Sequence, residues 1–434
     1  MAKQTNNVEN TKRFLVTYAD DSVTKQEASS ILNVKESSMQ DAEMLMATDA
    51  ILGSEDVVHY EGMGISSLEL TDEQAKKLEE NSKVLAVEED REMFALGVNV
   101  AEIDGQSGEE SYQQGYTDAM YEVFKKIFTP PVSKTESQLQ RRNSSVDISA
   151  IQPIPWNINM VKAPRAWARG FRGMGIKVAV LDTGVSPHSD LVISGGISFV
   201  TGVASFNDGH GHGTHCCGVV GARNNAIGVV GVAPECSLYA VKVLNDAGSG
   251  FTSEIIAGMT WAKNNGMKVI SLSLGAPANP SVAYTTAIAQ LNAAGVTVVC
   301  ASGNGFLTPF PWVGSPANST GAVAVGAVDA NNGIAPFSSR GKKPGVLPWN
   351  PVTLVAPGVG VKSTYKGNTY ATMSGTSMAT PHVAGAAVLI KQRHPAFTPA
   401  QVMALLKSSA TDLGAAGFDV TFGSGLLNCD KATI

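Results

Sequence analysis

Lys177-Val178-Ala179-Val180-Leu181-Asp182-Thr183-Gly184 is an apolar, β-branched run that ends in a carboxylate and a small-residue turn. Its apolar stretch does not alternate with polar residues, so a strand built from it is buried on both faces. Similar runs recur at 238–243, 268–274, 296–301 and 322–328, separated by helix-compatible stretches that include 252–265, 282–294 and 378–393. Buried strands alternating with helices imply an α/β domain, a parallel sheet covered on both faces, from about residue 151 to residue 434. Ligands of such sheets gather at the carboxyl ends of the strands. Asp182 and Asn304 both fall just after such ends.

Two other segments supply reactive groups. His212-Gly213-Thr214-His215 opens a small-residue helix, and Gly375-Thr376-Ser377-Met378-Ala379-Thr380-Pro381-His382 places a serine at the head of an apolar one. A serine hydroxyl is a poor nucleophile until a base takes its proton, and the base works best when a carboxylate orients it. Ser377, His212 and Asp182 meet that need, in the chain order Asp, His, Ser known for one class of hydrolytic triad. The helix headed by Ser377 also offers free N–H groups to a developing oxyanion. Taken singly, each residue reads as a cap, a turn or an exposed side chain; taken together, they read as a peptidase site. An esterase or lipase would show Gly-x-Ser-x-Gly and the order Ser, Asp, His, and neither is present. A binding scaffold derived from such an enzyme would be expected to have lost a reactive residue, and none is missing.

On Val180-Leu181-Asp182-Thr183-Gly184, His212-Gly213-Thr214-His215 and the run from Gly375 to Gly385, the sequence resembles the subtilisin-like serine peptidases, or subtilases, over roughly residues 152–428. The resemblance implies a serine endopeptidase that works through an acyl-enzyme on Ser377. It selects His212 over His210 and His215 as the base. It makes Ala301-Ser302-Gly303-Asn304 an oxyanion segment in which the Asn304 amide donates. Gly248-Ser249-Gly250 and Ser273-Leu274-Gly275 would clamp an extended peptide, with Gly303 nearby. Recognition through the main chain implies broad substrate preference. The stretch from Ala222 to Val229 resembles the family's tight calcium loop. By that match a structural calcium would take a side-chain oxygen from Asn225, carbonyls from Arg223, Ile227 and Val229, and further ligands from Gln152 and Asp190. Cys216, four residues after His212, resembles a thiol found beneath the histidine in a subset of the family, and is expected to act as a small buried hydrophobe.

Ahead of this domain, a strand at 13–18, a helix around 23–32, strands at 57–60 and 65–70, a helix from Thr71 and a strand at 83–88 give a β-α-β-β-α-β order, a ferredoxin-like α+β pattern. Thr71 and Gln74 are spaced for a capping box. Residues 12–96 resemble the family's inhibitory propeptide, with Leu85-Ala86-Val87-Glu88-Glu89-Asp90 the clearest element. That resemblance implies self-processing between Leu96 and Gly97, with Met93-Phe94-Ala95-Leu96 in the substrate groove. Residues 1–96 carry nine basic against twenty acidic side chains, whereas 151–434 carry eighteen against ten. Opposite charge suggests mutual attraction. Between them, 97–150 is an acidic extension with a helical pattern at 109–128, followed by a polar linker, and 342–350 reads as a surface insertion. Five cysteines form no metal-ligand spacing, and no stretch suits a membrane span. Protein substrates, a monomer and no nucleic-acid partner are expected. The polar N-terminus leads into no export segment. The protein therefore either stays in the cytoplasm or the sequence lacks its signal, and the resemblance favours an extracellular destination.

Overall fold

A computed structural model describes residues 11–41, 57–99, 152–342 and 351–434. The helix expected within 109–128, the linker after it and all but the first residue of the insertion at 342–350 lie outside these residues.

The front module comprises β1 (Lys12–Tyr18), α1 (Lys25–Leu32), β2 (Met39–Asp41), β3 (Val57–Tyr60), β4 (Ile65–Leu70), α2 (Asp72–Glu79) and β5 (Val84–Glu89). Its sheet runs β2-β3-β4-β1-β5, the ferredoxin-like order with one short extra strand, β2, added parallel to β3 at the edge. Local chemistry sets both helices. Thr24 with Glu27 and Thr71 with Gln74 close reciprocal capping boxes, which satisfies donors that the first turn leaves open. Phe14, Val16, Tyr18, Leu68 and Leu70 form the module's own core. Leu15, Val58, Tyr60, Met63 and Ile65 instead join the core of the larger domain.

Two short strands follow, β6 (Glu92–Ala95) and β7 (Val98–Asn99). The larger domain then runs α3 (Trp156–Met160), α4 (Ala163–Ala168), β8 (Lys177–Asp182), β9 (Ile193–Ser198), α5 (His212–Gly221), β10 (Ser237–Lys242), β11 (Ser249–Phe251), α6 (Thr252–Asn264), β12 (Val269–Leu272) and β13 (Leu274–Gly275). After these come α7 (Val282–Ala293), β14 (Thr297–Ala301), β15 (Val323–Val328), β16 (Leu354–Pro357), β17 (Val361–Tyr365), β18 (Thr369–Ser374), α8 (Thr376–Arg393) and α9 (Pro399–Ser409). Seven strands form a parallel sheet in the order β16-β15-β14-β12-β8-β10-β9. Side chains of a strand alternate between faces. Accordingly Val178 and Val180 pack with α5 and α8, while Ala179 and Leu181 pack with α6 and α7. The helix α8 is buried from Thr376 to Lys391, which explains its lack of a polar face.

The front module sits on α6 and α7. The Asp90 carboxylate accepts from Ser253 N at 2.9 Å and Glu88 from Ala283 N at 2.8 Å, so one acid reaches the N-terminal turn of each helix. Free N–H groups and the helix dipole favour a carboxylate there. Tyr60 Oη donates to Ser253 O, and Lys263 Nζ donates to Gly62 O.

Candidate active site

Asp182 is the last residue of β8, and β10 and β12 pair beside it to bury it fully. Its Oδ1 accepts from Thr183 N and from His212 Nδ1, each at 2.7 Å. The imidazole proton is thereby fixed on Nδ1, because the carboxylate can only accept. The other ring nitrogen, Nε2, is buried and has no hydrogen-bond partner.

Ser377 lies in the first turn of α8, behind Gly375. A Cβ on Gly375 (φ +152°) would overlap the Leu96 carbonyl oxygen, so only glycine fits there. Pro381 is the sixth residue of α8 and has no N–H to give the carbonyl four residues earlier, which is that of Ser377. That carbonyl accepts instead from Ser273 Oγ at 2.9 Å and from Cys216 Sγ at 3.7 Å. The Ser377 hydroxyl donates to Ser273 O at 2.7 Å rather than to His212. The serine and histidine therefore face the same cleft but are not joined by a hydrogen bond, and rotation about the serine side chain would have to close that step.

A peptide already fills the cleft. The strand β6 lies antiparallel between β11 and β13 as the middle of a three-stranded sheet. Ala95 N donates to Gly248 O at 2.9 Å and Leu96 N to Ser273 O at 3.2 Å. Beyond the bend, β7 pairs with β18, Val98 opposite Ser374 and Asn99 opposite Met373. The Leu96–Gly97 peptide bond between these two pairings lies at the reactive groups. Asn304 Nδ2 donates to Leu96 O at 2.7 Å, and Ser377 N does so at 3.4 Å. A Cβ on Gly97 would lie 2.8 Å from His212 Nε2.

The Asn304 amide is oriented by its other end, where Oδ1 accepts from Thr376 N and Thr376 Oγ1, both at 2.9 Å. Thr376 carries no signal of this role in the sequence. Leu96 is only 3% exposed and lines a pocket together with Gly275, Ala301, Gly303, Phe310, Trp312 and Ser315. Gly275 leaves room for it, since a Cβ there would come within 3.1 Å of Leu96 Cδ1. Each stretch expected to clamp a peptide therefore touches β6 or Leu96.

His215 and His210 are placed outside the reacting groups. His215 bonds Val361 O through Nε2, and burial holds its pKa down at about 3. The His210 ring stands 6.2 Å from that of His212, and burial lowers its pKa too. Cys216 Sγ is 3.9 Å from His212 Nδ1, and burial pushes its thiol well up, so it is a neutral buried group.

At the expected cation loop, two of the expected carbonyls converge. Ile227 O and Val229 O both accept from Gln152 Nε2, at 2.7 and 2.5 Å, so two carbonyls aim at one point. Asp190 Oδ1 is buried without a partner, while Oδ2 accepts from Val229 N and Tyr370 Oη. Asn225 Oδ1 accepts from Ile227 N at 3.2 Å. Gln152 was expected to present an oxygen here and presents its amide nitrogen instead, with Oε1 accepting from Asn225 N. Converging carbonyls need a positive or donor group, and an amide end can serve either polarity by turning over. The oxygen-rich donor set fits a hard cation.

The geometry agrees with a scan against known families, in which the subtilase family matches residues 173–425. The chain belongs to the subtilase family. It is 51% identical over 282 residues to Subtilisin Savinase of Lederbergia lenta, covering 65% of this chain and 99% of that protein. Identity is 50% over 287 residues to the alkaline elastase YaB of Bacillus sp., 66% of this chain and 72% of that one. A thermostable alkaline protease of Halalkalibacterium halodurans is 40% identical over 357 residues, 80% of this chain and 94% of its own length. This subtilase is a serine endopeptidase, a hydrolase whose substrates are proteins. Among its described residues no helix is long and apolar enough to cross a membrane.

Proposed function

We propose that this subtilase is made as a precursor that cuts itself between Leu96 and Gly97, with Ser377 as nucleophile, His212 as base and then acid, Asp182 as its orienter, and Asn304 with Ser377 N as the oxyanion donors. The observation that carries the reading is the Leu96 carbonyl held at 2.7 Å by Asn304 Nδ2, beside the Ser377 hydroxyl and the unpartnered His212 Nε2.

In that reading the Ser377 hydroxyl turns from Ser273 O toward His212 Nε2 and gives up its proton as Oγ attacks the Leu96 carbonyl carbon. Negative charge then develops on an oxygen already facing two donors, which need no reorganisation. The proton on His212 passes to the Gly97 nitrogen as the Leu96–Gly97 bond breaks, and water later releases Leu96 from Ser377. The Asp182 carboxylate steadies the imidazolium throughout.

The front module then stays as an inhibitor, held by β6, by Glu88 and Asp90 on α7 and α6, and by the shared apolar face. The H. halodurans relative supports a common front region, since its match covers more of this chain than residues 151–434 can supply. A structural calcium would be held by Asp190, Asn225, the carbonyls of Arg223, Ile227 and Val229, and Gln152 once its amide is turned over. The ion supplies rigidity to the loop and no step of the reaction.

N-terminal sequencing of active material tests the reading. Gly97 is expected as its first residue, with Ser377→Ala remaining full length. A start near residue 149, or cleavage by the Ser377→Ala protein alone, would refute it.

A further inference from the structure

Asp208 has no place in the assignments above, yet it makes more hydrogen bonds than either member of the Asp182–His212 pair. It is 1% exposed. Its Oδ1 accepts from Thr183 Oγ1 (2.8 Å), His210 N (3.0 Å) and Gly211 N (2.7 Å), and its Oδ2 from Thr214 N (2.8 Å) and Thr214 Oγ1 (2.6 Å). No Lys or Arg pairs with it among the described residues. Neutral dipoles and the N-terminus of α5 stabilise its charge, as they do for a carboxylate receiving several N–H groups.

These donors are not scattered. Gly211, His212 and Thr214 are the cap and first turn of α5, so Asp208 fastens the turn that carries the imidazole. Thr183 follows Asp182 directly. Its N–H donates to Asp182 Oδ1, and its Oγ1 both donates to Asp208 and accepts from Gly213 N at 2.8 Å. Ser186, just beyond, is tied in through Oγ to Asp208 O and through its N–H to Thr214 Oγ1. One buried carboxylate thus links the end of β8, which carries the orienting acid, to the start of α5, which carries the base.

We propose that Asp208 is a positioning residue that fixes the distance and tilt of the Asp182–His212 pair. This rests on the triad assignment above. Asparagine in its place has one accepting end and one donating end. Whichever way it turns, a buried N–H of Gly211, His210 or Thr214 meets a donor, and the α5 turn must shift. A displacement of about 1 Å at reacting groups costs about 100-fold.

The test compares processed wild type with Asp208→Asn and with a milder variant, Thr183→Val, using a chromogenic peptide and the low-field proton resonance of the Asp182–His212 hydrogen bond. Asp208→Asn is expected to lower kcat by about 10- to 100-fold with KM unchanged, and to broaden or lose the resonance. Thr183→Val is expected to do the same to a smaller degree, and decides the matter if Asp208→Asn does not fold. Wild-type kcat and resonance in either folded variant would overturn the proposal, as would parallel damage to kcat and KM with the resonance intact. Ser377→Ala serves as the separate control: it should keep the resonance and lose turnover, and turnover retained there would sink the triad assignment rather than the role of Asp208.

Discussion

Asp90 should make the grip of the front module depend on pH. Its side chain is fully buried beneath the module, Oδ1 on Ser253 N, Oδ2 without a hydrogen bond and the Arg13 Nε 3.8 Å away. Burial is the dominant influence and raises its pKa from 3.8 to about 6, outweighing the bonds to Ser253 and the charge of Arg13. A detached module returns the carboxyl to water and to its ordinary value. The docked state therefore binds the proton more tightly, and docking is favoured as pH falls. The contribution is complete below the ordinary carboxyl value and is lost as pH rises through about 6. Two pKa units correspond to about 3 kcal/mol at the limit, and between pH 5 and pH 8 the linkage amounts to about tenfold in affinity. The assay is the rate at which activity appears when self-processed protein is diluted at each pH, at fixed low salt. Wild type should release its inhibitor about tenfold more readily at pH 8. Asp90→Asn, which cannot ionise, should flatten that component. An Asp90→Asn protein with the wild-type pH dependence would refute the argument.

Three further outcomes follow from the same geometry. Asn304→Ala should reduce kcat by about 10²–10³ with little change in KM, a magnitude taken from a subtilisin rather than from this structure, measured with a short peptide substrate. Glu88→Ala should loosen the module by about 1 kcal/mol, or about fivefold in inhibition constant, through loss of the α7 cap; an unchanged constant would remove that contact from the docking account. Chelation should lower the melting temperature of wild type but not of Asp190→Ala, as read by calorimetry, and a wild-type melting temperature indifferent to chelator and added calcium would dismiss the cation loop.

The sequence exposed those features whose signal is local. Runs such as 177–181 are apolar throughout because the sheet is covered on both sides, and all five expected strands of the larger domain form. Asp182, His212 and Ser377 stood out through their short flanking patterns and order. The β17–β18 hairpin did not, because Val361–Tyr365 and Thr369–Ser374 are polar strands outside the main sheet. Nor did β9, whose two glycines break any strand pattern. Asp208 was invisible for another reason: an acid in a glycine-rich loop has no signature until the fold brings Thr183 and Thr214 to it. The hydroxyl of Ser377 shows the remaining limit. Spacing places it near His212, but its rotamer depends on Ser273 O, a hundred residues away.

The docked strand also defines what the enzyme asks of a protein it digests. From Glu92 to Asn99 eight residues form two short strands with a bend between them, the first with partners on both sides and the second on another wall. No helix can offer such a stretch, and no inner strand can without leaving its own neighbours. A folded target is therefore cut at rates set by how often a loop or terminus comes loose, its local opening equilibrium rather than the identity of its side chains.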